Sequence, residues 1–260
     1  MLRNLNELVA HHELIANFAA REILSKYKQA ALGVAWAVLQ PLAQLLTMTL
    51  VFSYFARVPS EGFPYPLYLF CGLLPWLYFA GSLNRGVSCL LNQRGLITKI
   101  YFPRECIVLA SLIAAIVDLL FASLVYVALL LYYGHYPSLT WLYAVPIFVV
   151  QTMLALGLML ILAPMNAFYR DVGQMMPFLL QLWMYLTPIM YPTTLIPEQY
   201  RDWFALNPMV GIVEAYRDAM LRHEAPDPAQ IGYSAAVAVT ALLVGYLVFK
   251  KIELKIADFA

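Results

Sequence analysis

Asn92-Gln-Arg-Gly-Leu-Ile-Thr-Lys-Ile-Tyr-Phe-Pro-Arg-Glu105 is a charged island between two long apolar runs. Leu96, Ile97, Ile100 and Tyr101 follow i, i+1, i+4, i+5 spacing, which puts them on one face of a short helix. Arg94, Lys99 and Arg104 surround that face with positive charge. Pro103 ends such a helix and suits the first turn of the next, where Glu105 sits near the positive helix N-terminus. A short basic helix hung between two apolar runs needs a surface to press against. Asn92, Arg94, Leu96, Ile97, Lys99, Ile100, Tyr101, Arg104 and Glu105 are the candidates for that contact.

The apolar runs fix the class. Of 260 residues, 63% are hydrophobic and only 12% charged, with a mean hydropathy of +0.72. A soluble domain carries about a quarter charged residues, so this is an all-α integral membrane protein. The net charge of +1 says little, because in a membrane protein placement decides more than the sum. Cys71, Cys89 and Cys106 lie far apart, with no C-x-x-C or Cys/His ligand spacing, and read as small apolar fillers. The mixed polar residues 1–28 lack the compact apolar core of a cleavable signal peptide.

Uncharged or nearly uncharged stretches predict six spans, at about 29–56, 62–84, 106–133, 139–165, 174–191 and 228–249. Residues 29–260 thus form a six-span membrane domain. Residues 1–28 carry too many charges to cross. Leu8, Leu14, Ile15, Phe18 and Ala19 gather on one half of a helical wheel, with Glu13 and Asn17 opposite, which predicts an amphipathic helix in the membrane interface. Arg21, Glu22, Lys26, Tyr27 and Lys28 lead from it into the first span. If the N-terminus is cytoplasmic and the spans alternate, all of the 16 lysines and arginines except Arg57, Arg201, Arg217 and Arg222 fall on the cytoplasmic side. Positive charge concentrates on the inner side of multi-pass proteins, so both termini and the segment 92–105 are expected in the cytoplasm.

On the far side, residues 193–227 read as a re-entrant or interfacial hairpin of two short helices. Pro197 starts the first. Asn207 caps the second, which begins at Pro208. Ile212, Val213, Tyr216 and Met220 form its apolar stripe, with Glu214, Arg217, Asp218 and Arg222 elsewhere on the helix.

Catalytic signals are sparse. No G-x-x-x-x-G-K-[ST] occurs, so the chain does not bind a nucleotide through a P-loop, and its four histidines show no metal-ligand spacing. Asp118 is the single ionisable group near the middle of a span, by default a functional position. No basic partner lies in any other predicted span, which weakens the case for a proton or ion relay. Aromatic residues make up 14% of the chain. Trp36, Tyr54, Phe55, Trp76, Tyr78, Phe79, Trp183 and Tyr185 lie within or near spans. They suit an interfacial belt, or faces on which sugar rings stack along a conduit.

Several motifs in order resemble ABC-2 type permeases of the bacterial polysaccharide export family. They are Arg21-Glu22 with Lys26-Tyr27-Lys28, Leu32-Gly33 with Trp36, Gln40-Pro41-Leu42, and Gly72-Leu73-Leu74-Pro75-Trp76. Lys99-Ile100-Tyr101-Phe102-Pro103-Arg104-Glu105 and Asn166-Ala167-Phe168-Tyr169-Arg170-Asp171 follow. Thr187-Pro188-Ile189-Met190-Tyr191-Pro192, Leu206-Asn207-Pro208 and Glu214-Ala215-Tyr216-Arg217 complete the series.

The resemblance implies a homodimer in the inner membrane, working with two copies of a cytoplasmic ABC ATPase on a lipid-linked polysaccharide such as an O-antigen, capsule or teichoic acid. ATP and Mg would be held by the partner, with no cofactor in this chain and no nucleic acid involved. It further implies that segment 92–105 is the coupling helix, that Arg170 and Asp171 form a second cytoplasmic contact, and that Pro197, Asn207, Pro208, Glu214, Tyr216 and Arg217 belong to an outer gate. Two other readings remain at this point, a secondary transporter and a membrane-embedded lipid-linked glycosyltransferase.

Overall fold

The computed structural model describes residues 11–28, 33–97 and 102–259. Ten α-helices carry the architecture, and no strand occurs among the described residues. They are α1 (His12–Tyr27), α2 (Trp36–Thr49), α3 (Tyr65–Asn92), α4 (Arg94–Ile97), α5 (Glu105–Tyr132), α6 (Ala144–Phe168), α7 (Asp171–Tyr185), α8 (Glu198–Ala205), α9 (Pro208–Arg217) and α10 (Pro228–Phe259). A wider π-helical turn, Leu50–Phe55, continues α2, and another, Asp218–Arg222, continues α9.

Five segments are long and apolar enough to cross a membrane: Gly33–Phe55, Tyr65–Asn92, Glu105–Tyr133, Leu139–Phe168 and Pro228–Glu253. The count of six predicted from composition is not reached. The remaining segment, expected at 174–191, is α7, a helix of 15 residues. At 1.5 Å per residue it covers about 22 Å, short of the roughly 30 Å hydrocarbon core. Residues 186–192 then run as irregular backbone.

The second span also differs from its expected end at residue 84. Proline at residue 64 caps α3, and the helix continues to Asn92, so Arg85 lies two turns inside it. The other boundaries agree closely, with α5 beginning at Glu105 just after Pro103.

Burial ranks the spans. In the most apolar stretch of α3, 78% of residues are buried, against 17% for the α2 and α10 spans. Thus α3 is the central rod, packed mainly on α5 and α6, and α10 packs on α6. That last contact is backbone to backbone. A Cβ added to Gly157 would stand 2.5 Å from the Leu242 nitrogen, and one on Gly245 would collide with the Gly157 carbonyl. Small residues that let helix backbones touch are a common basis of association inside lipid.

Helix α1 lies along α5 in the same direction. Phe18 and Ala19 are buried, Leu14 and Ile15 pack against the core, and the Phe18 ring sits 5.7 Å from Phe102. Its expected apolar face is therefore satisfied by protein at these positions, while Leu8 lies outside the described residues.

Gly157→Leu should force α6 and α10 apart, at a cost of about 3 kcal/mol or more for an overpacked contact against backbone. A marked drop in the thermal midpoint of the detergent-purified protein is expected, and an unchanged midpoint would refute the glycine contact.

Candidate functional site

Two ends of the bundle carry the polar residues, one at the 93–102 loop and one at the 186–227 hairpin. At the loop end, α3 finishes at Asn92, which is exposed, and α4 is a single turn. Arg94 and Leu96 are half-buried and Ile97 is buried. Lys99, Ile100 and Tyr101 lie outside the described residues. Arg104 and Glu105 face the bundle interior, where Glu105 pairs with Lys250 and the Arg104 amide donates to Glu253 Oε1 at 3.3 Å. They anchor the loop's far root to α10. Arg170 and Asp171 are exposed at the start of α7. Behind them buried Asn166 donates to the Val87 carbonyl at 2.9 Å and accepts from the Gly173 amide at 2.8 Å. This residue, missed by the sequence reading except as part of a motif, caps α7 and pins it to α3.

The interface-helix residues converge on the same end. Arg21 donates to Gln93 Oε1 at 3.0 Å, and Glu22 accepts from Ser111 Oγ at 2.9 Å. Lys26 meets Asp118 at 2.7 Å. Lys28 is exposed, and the side chain of Tyr27 is outside the described residues. Arg85 pairs with Asp118 and lies 3.8 Å from Glu22. Asp118 therefore does have basic partners, which corrects the expectation from the predicted spans. Arg85 lies just past the span end expected at residue 84, yet α3 carries on through it and brings it to the carboxylate on α5. Charges partly withdrawn from water between apolar helices are stabilised by such pairing.

The aromatic residues do not form one track. Trp76, Phe79 and Trp183 cluster, with centroid separations of 5.8, 5.1 and 6.4 Å. Tyr78 looks the other way, hydrogen-bonded to Thr152 at 3.0 Å and 5.3 Å from the Phe148 ring. Trp36 stands exposed at the start of α2, and Tyr54 and Phe55 pair edge-on at its far end, exposed as well. Tyr185 is exposed at the end of α7.

At the hairpin end the irregular residues 186–192 are held by side chains. Arg217, with no exposed surface, donates from Nη2 to the Ile189 carbonyl at 2.8 Å. Tyr65 donates to the Met190 carbonyl at 2.7 Å. Asn207 donates to the Leu186 carbonyl at 3.2 Å and to Thr187 Oγ1 at 3.0 Å, while its Oδ1 accepts from Trp183 Nε1 at 2.9 Å. The same oxygen accepts from the Met209 amide at 3.0 Å, the cap predicted for the helix starting at Pro208. Pro197 precedes α8 as its cap residue.

Helix α9 is buried on every side, including Glu214 and Tyr216, so its polar residues do not face water as an amphipathic stripe implies. Arg217 pairs with Glu214 at 2.7 Å and lies over the Tyr68 ring at 4.0 Å. Gly72 leaves room for it, since a Cβ there would stand 3.1 Å from Nη2. Glu214 also meets Arg222 at 3.0 Å, and Arg222 reaches Asp218 at 2.5 Å and Glu61 at 2.6 Å. Burial works against the Arg222 charge, yet the hydrogen bond to Glu61 and the nearby Glu214 and Asp218 carboxylates hold its pKa above the ordinary guanidinium value.

With five segments long and apolar enough to cross a membrane, a charged loop joining two of them and a braced hairpin opposite, the architecture is that of a multi-pass membrane protein. The chain belongs to the ABC-2 type transporter family, whose profile matches residues 13–221. It is 30% identical over 252 residues to the O-antigen export system permease protein RfbA of Myxococcus xanthus, covering 96% of both chains. It is 28% identical over 238 residues to the polysialic acid transport protein KpsM of Escherichia coli, covering 90% of this chain and 91% of that one. The capsule polysaccharide export inner-membrane protein CtrC of Neisseria meningitidis serogroup A is 22% identical over 236 residues, covering 85% of this chain and 86% of that one.

Arg217→Ala should strand the Glu214 carboxylate against one fewer cation and leave the Ile189 carbonyl without its donor. Breaking a buried pair costs about 3–5 kcal/mol. Loss of folded protein in fluorescence-detected size exclusion is the expected result, with Arg217→Lys less damaging. Wild-type behaviour of the alanine variant would show that the brace is dispensable.

Proposed function

We infer that this chain is the membrane subunit of an ATP-driven exporter that carries a lipid-linked polysaccharide across the bacterial inner membrane. The observation that carries this is the near end-to-end match to relatives named for O-antigen export, polysialic acid transport and capsule polysaccharide export. The chain has no P-loop of its own, so ATP and Mg belong to a separate ABC ATPase, and the membrane subunit is not an enzyme. Neither the secondary transporter nor the glycosyltransferase is favoured by these relatives.

The working assembly is a homodimer with two ATPase subunits, in which α7 and the irregular backbone after it complete a sixth crossing that leaves both termini in the cytoplasm. The loop around Asn92 to Tyr101 is the docking element, with Arg94 and Lys99 meeting acidic groups on the ATPase. Arg170 and Asp171, exposed beside the same end, make the smaller contact. ATP-driven closure of the partners pushes this loop, moves α3 and α5 with it and shifts the conduit between closed and open populations. The hairpin α8–α9 serves as the outer gate. The cluster of Trp76, Phe79 and Trp183 offers the aromatic surface on which sugar rings slide, and the exposed Trp36, Tyr54, Phe55 and Tyr185 meet lipid headgroups or a second subunit.

Charge reversal of Arg94 and Lys99 together should abolish copurification of the ATPase and its stimulated turnover. Trp183→Ala should slow polymer export several-fold while copurification stays intact. If the double reversal still copurifies with full turnover, the docking assignment fails.

A further inference from the structure

A polar notch interrupts the apolar surface between α1, α2, α3 and α5. It is a cavity of about 430 Å³, within the roughly 300–1,000 Å³ of small-ligand sites. Its floor is the Arg85–Asp118–Lys26 pairing. Its walls present the carboxamides of Gln40 and Gln44 from α2 and Asn84 from α3, beside the Tyr78 ring. These three carboxamides make no hydrogen bond to protein among the described residues, although they lie on membrane-spanning helices. Amide groups facing hydrocarbon without a partner are costly, so the notch holds either water or a ligand that hydrogen-bonds.

The charges choose the ligand. Lys26 and Arg85 are balanced by Asp118 and Glu22, linked in the chain Lys26–Asp118–Arg85–Glu22, so the notch has no surplus positive charge for a phosphate. Each carboxamide is both donor and acceptor, the match for hydroxyl groups that are also both. Apolar Leu77, Leu119 and the Tyr78 ring complete a wall suited to a ring's C–H face.

We propose that this notch is a binding site for one or two neutral sugar residues, gripped by Gln40, Gln44 and Asn84. The proposal rests on the polysaccharide reading above and names where, in the chain itself, the polymer is held before it moves. Asp118 and Arg85 position the walls by fixing α1, α3 and α5.

The test uses the full exporter in cells whose polymer is metabolically labelled. A photo-crosslinking p-benzoylphenylalanine replaces Gln44, and in parallel Trp183 or Leu247, the last on the outward face of α10. Labelled glycan is expected on the chain crosslinked at 44 and absent at 247. Gln44→Leu and Asn84→Leu should each cut export about tenfold, the effect of losing paired hydrogen bonds, with the ATPase still copurified. Glycan captured at 183 but not at 44 would overturn the notch and leave the export reading standing. Glycan captured at none of the three positions would overturn both. Phospholipid alone on position 44 would also overturn the sugar assignment.

Discussion

Backbone polar groups inside a membrane protein must find partners within the protein, and that requirement shapes the hairpin end. Helix α7 stops after 15 residues, and the chain then runs irregularly through Thr187-Pro188-Ile189-Met190. Proline at residue 188 brings no amide, and the carbonyls around it need donors. Arg217, Tyr65 and Asn207 supply them from α9, α3 and the α9 cap. Placing a guanidinium there creates a second requirement, since a buried cation needs a carboxylate. Glu214 meets it, Arg222 shares Glu214, and Glu61 on the preceding loop shares Arg222. One break in a helix thus accounts for the linked charges Arg217, Glu214, Arg222 and Glu61.

The loop end solves a different problem. Helix α1 is charged, yet lies along the apolar α5. Its Glu22 and Lys26 find polar partners on α5 and its Arg21 finds one in Gln93 just past α3, while Phe18 closes against Phe102. The two roots of the loop between α3 and α5 are therefore tied to the same helix, Gln93 by a hydrogen bond and Phe102 by ring contact.

Local chemistry was legible in the sequence, and distant pairing was not. Long uncharged runs gave most of the spans, and Asn207-Pro208 announced its own cap. Pro103 marked the start of α5 to within two residues. The stretch 174–191 misled because its apolar residues suit a continuous helix and a protein-buried break equally, although Pro188 hinted at the second. Arg85 and Arg217 misled for one reason. A charge reads as solvated until its partner is known, and Asp118 stands 33 positions from Arg85. Arg217 had Glu214 one turn away, but its burial depends on Tyr68, Gly72 and Ile189, which no helical wheel brings together. The unpartnered carboxamides of the notch carry no signal in a sequence at all, since glutamine at residue 40 or 44 looks like any polar residue on a span.

The contact of Gly157 with Gly245 has a mechanical meaning. Side chains that interdigitate can change rotamer and let helices slide, but two backbones in contact have nothing to rearrange. Helices α6 and α10 are thereby locked in register, and Lys250 with Glu253 extends the lock to the start of α5. These three elements are tied into one block, joined at one point through bare backbone and at another through charge.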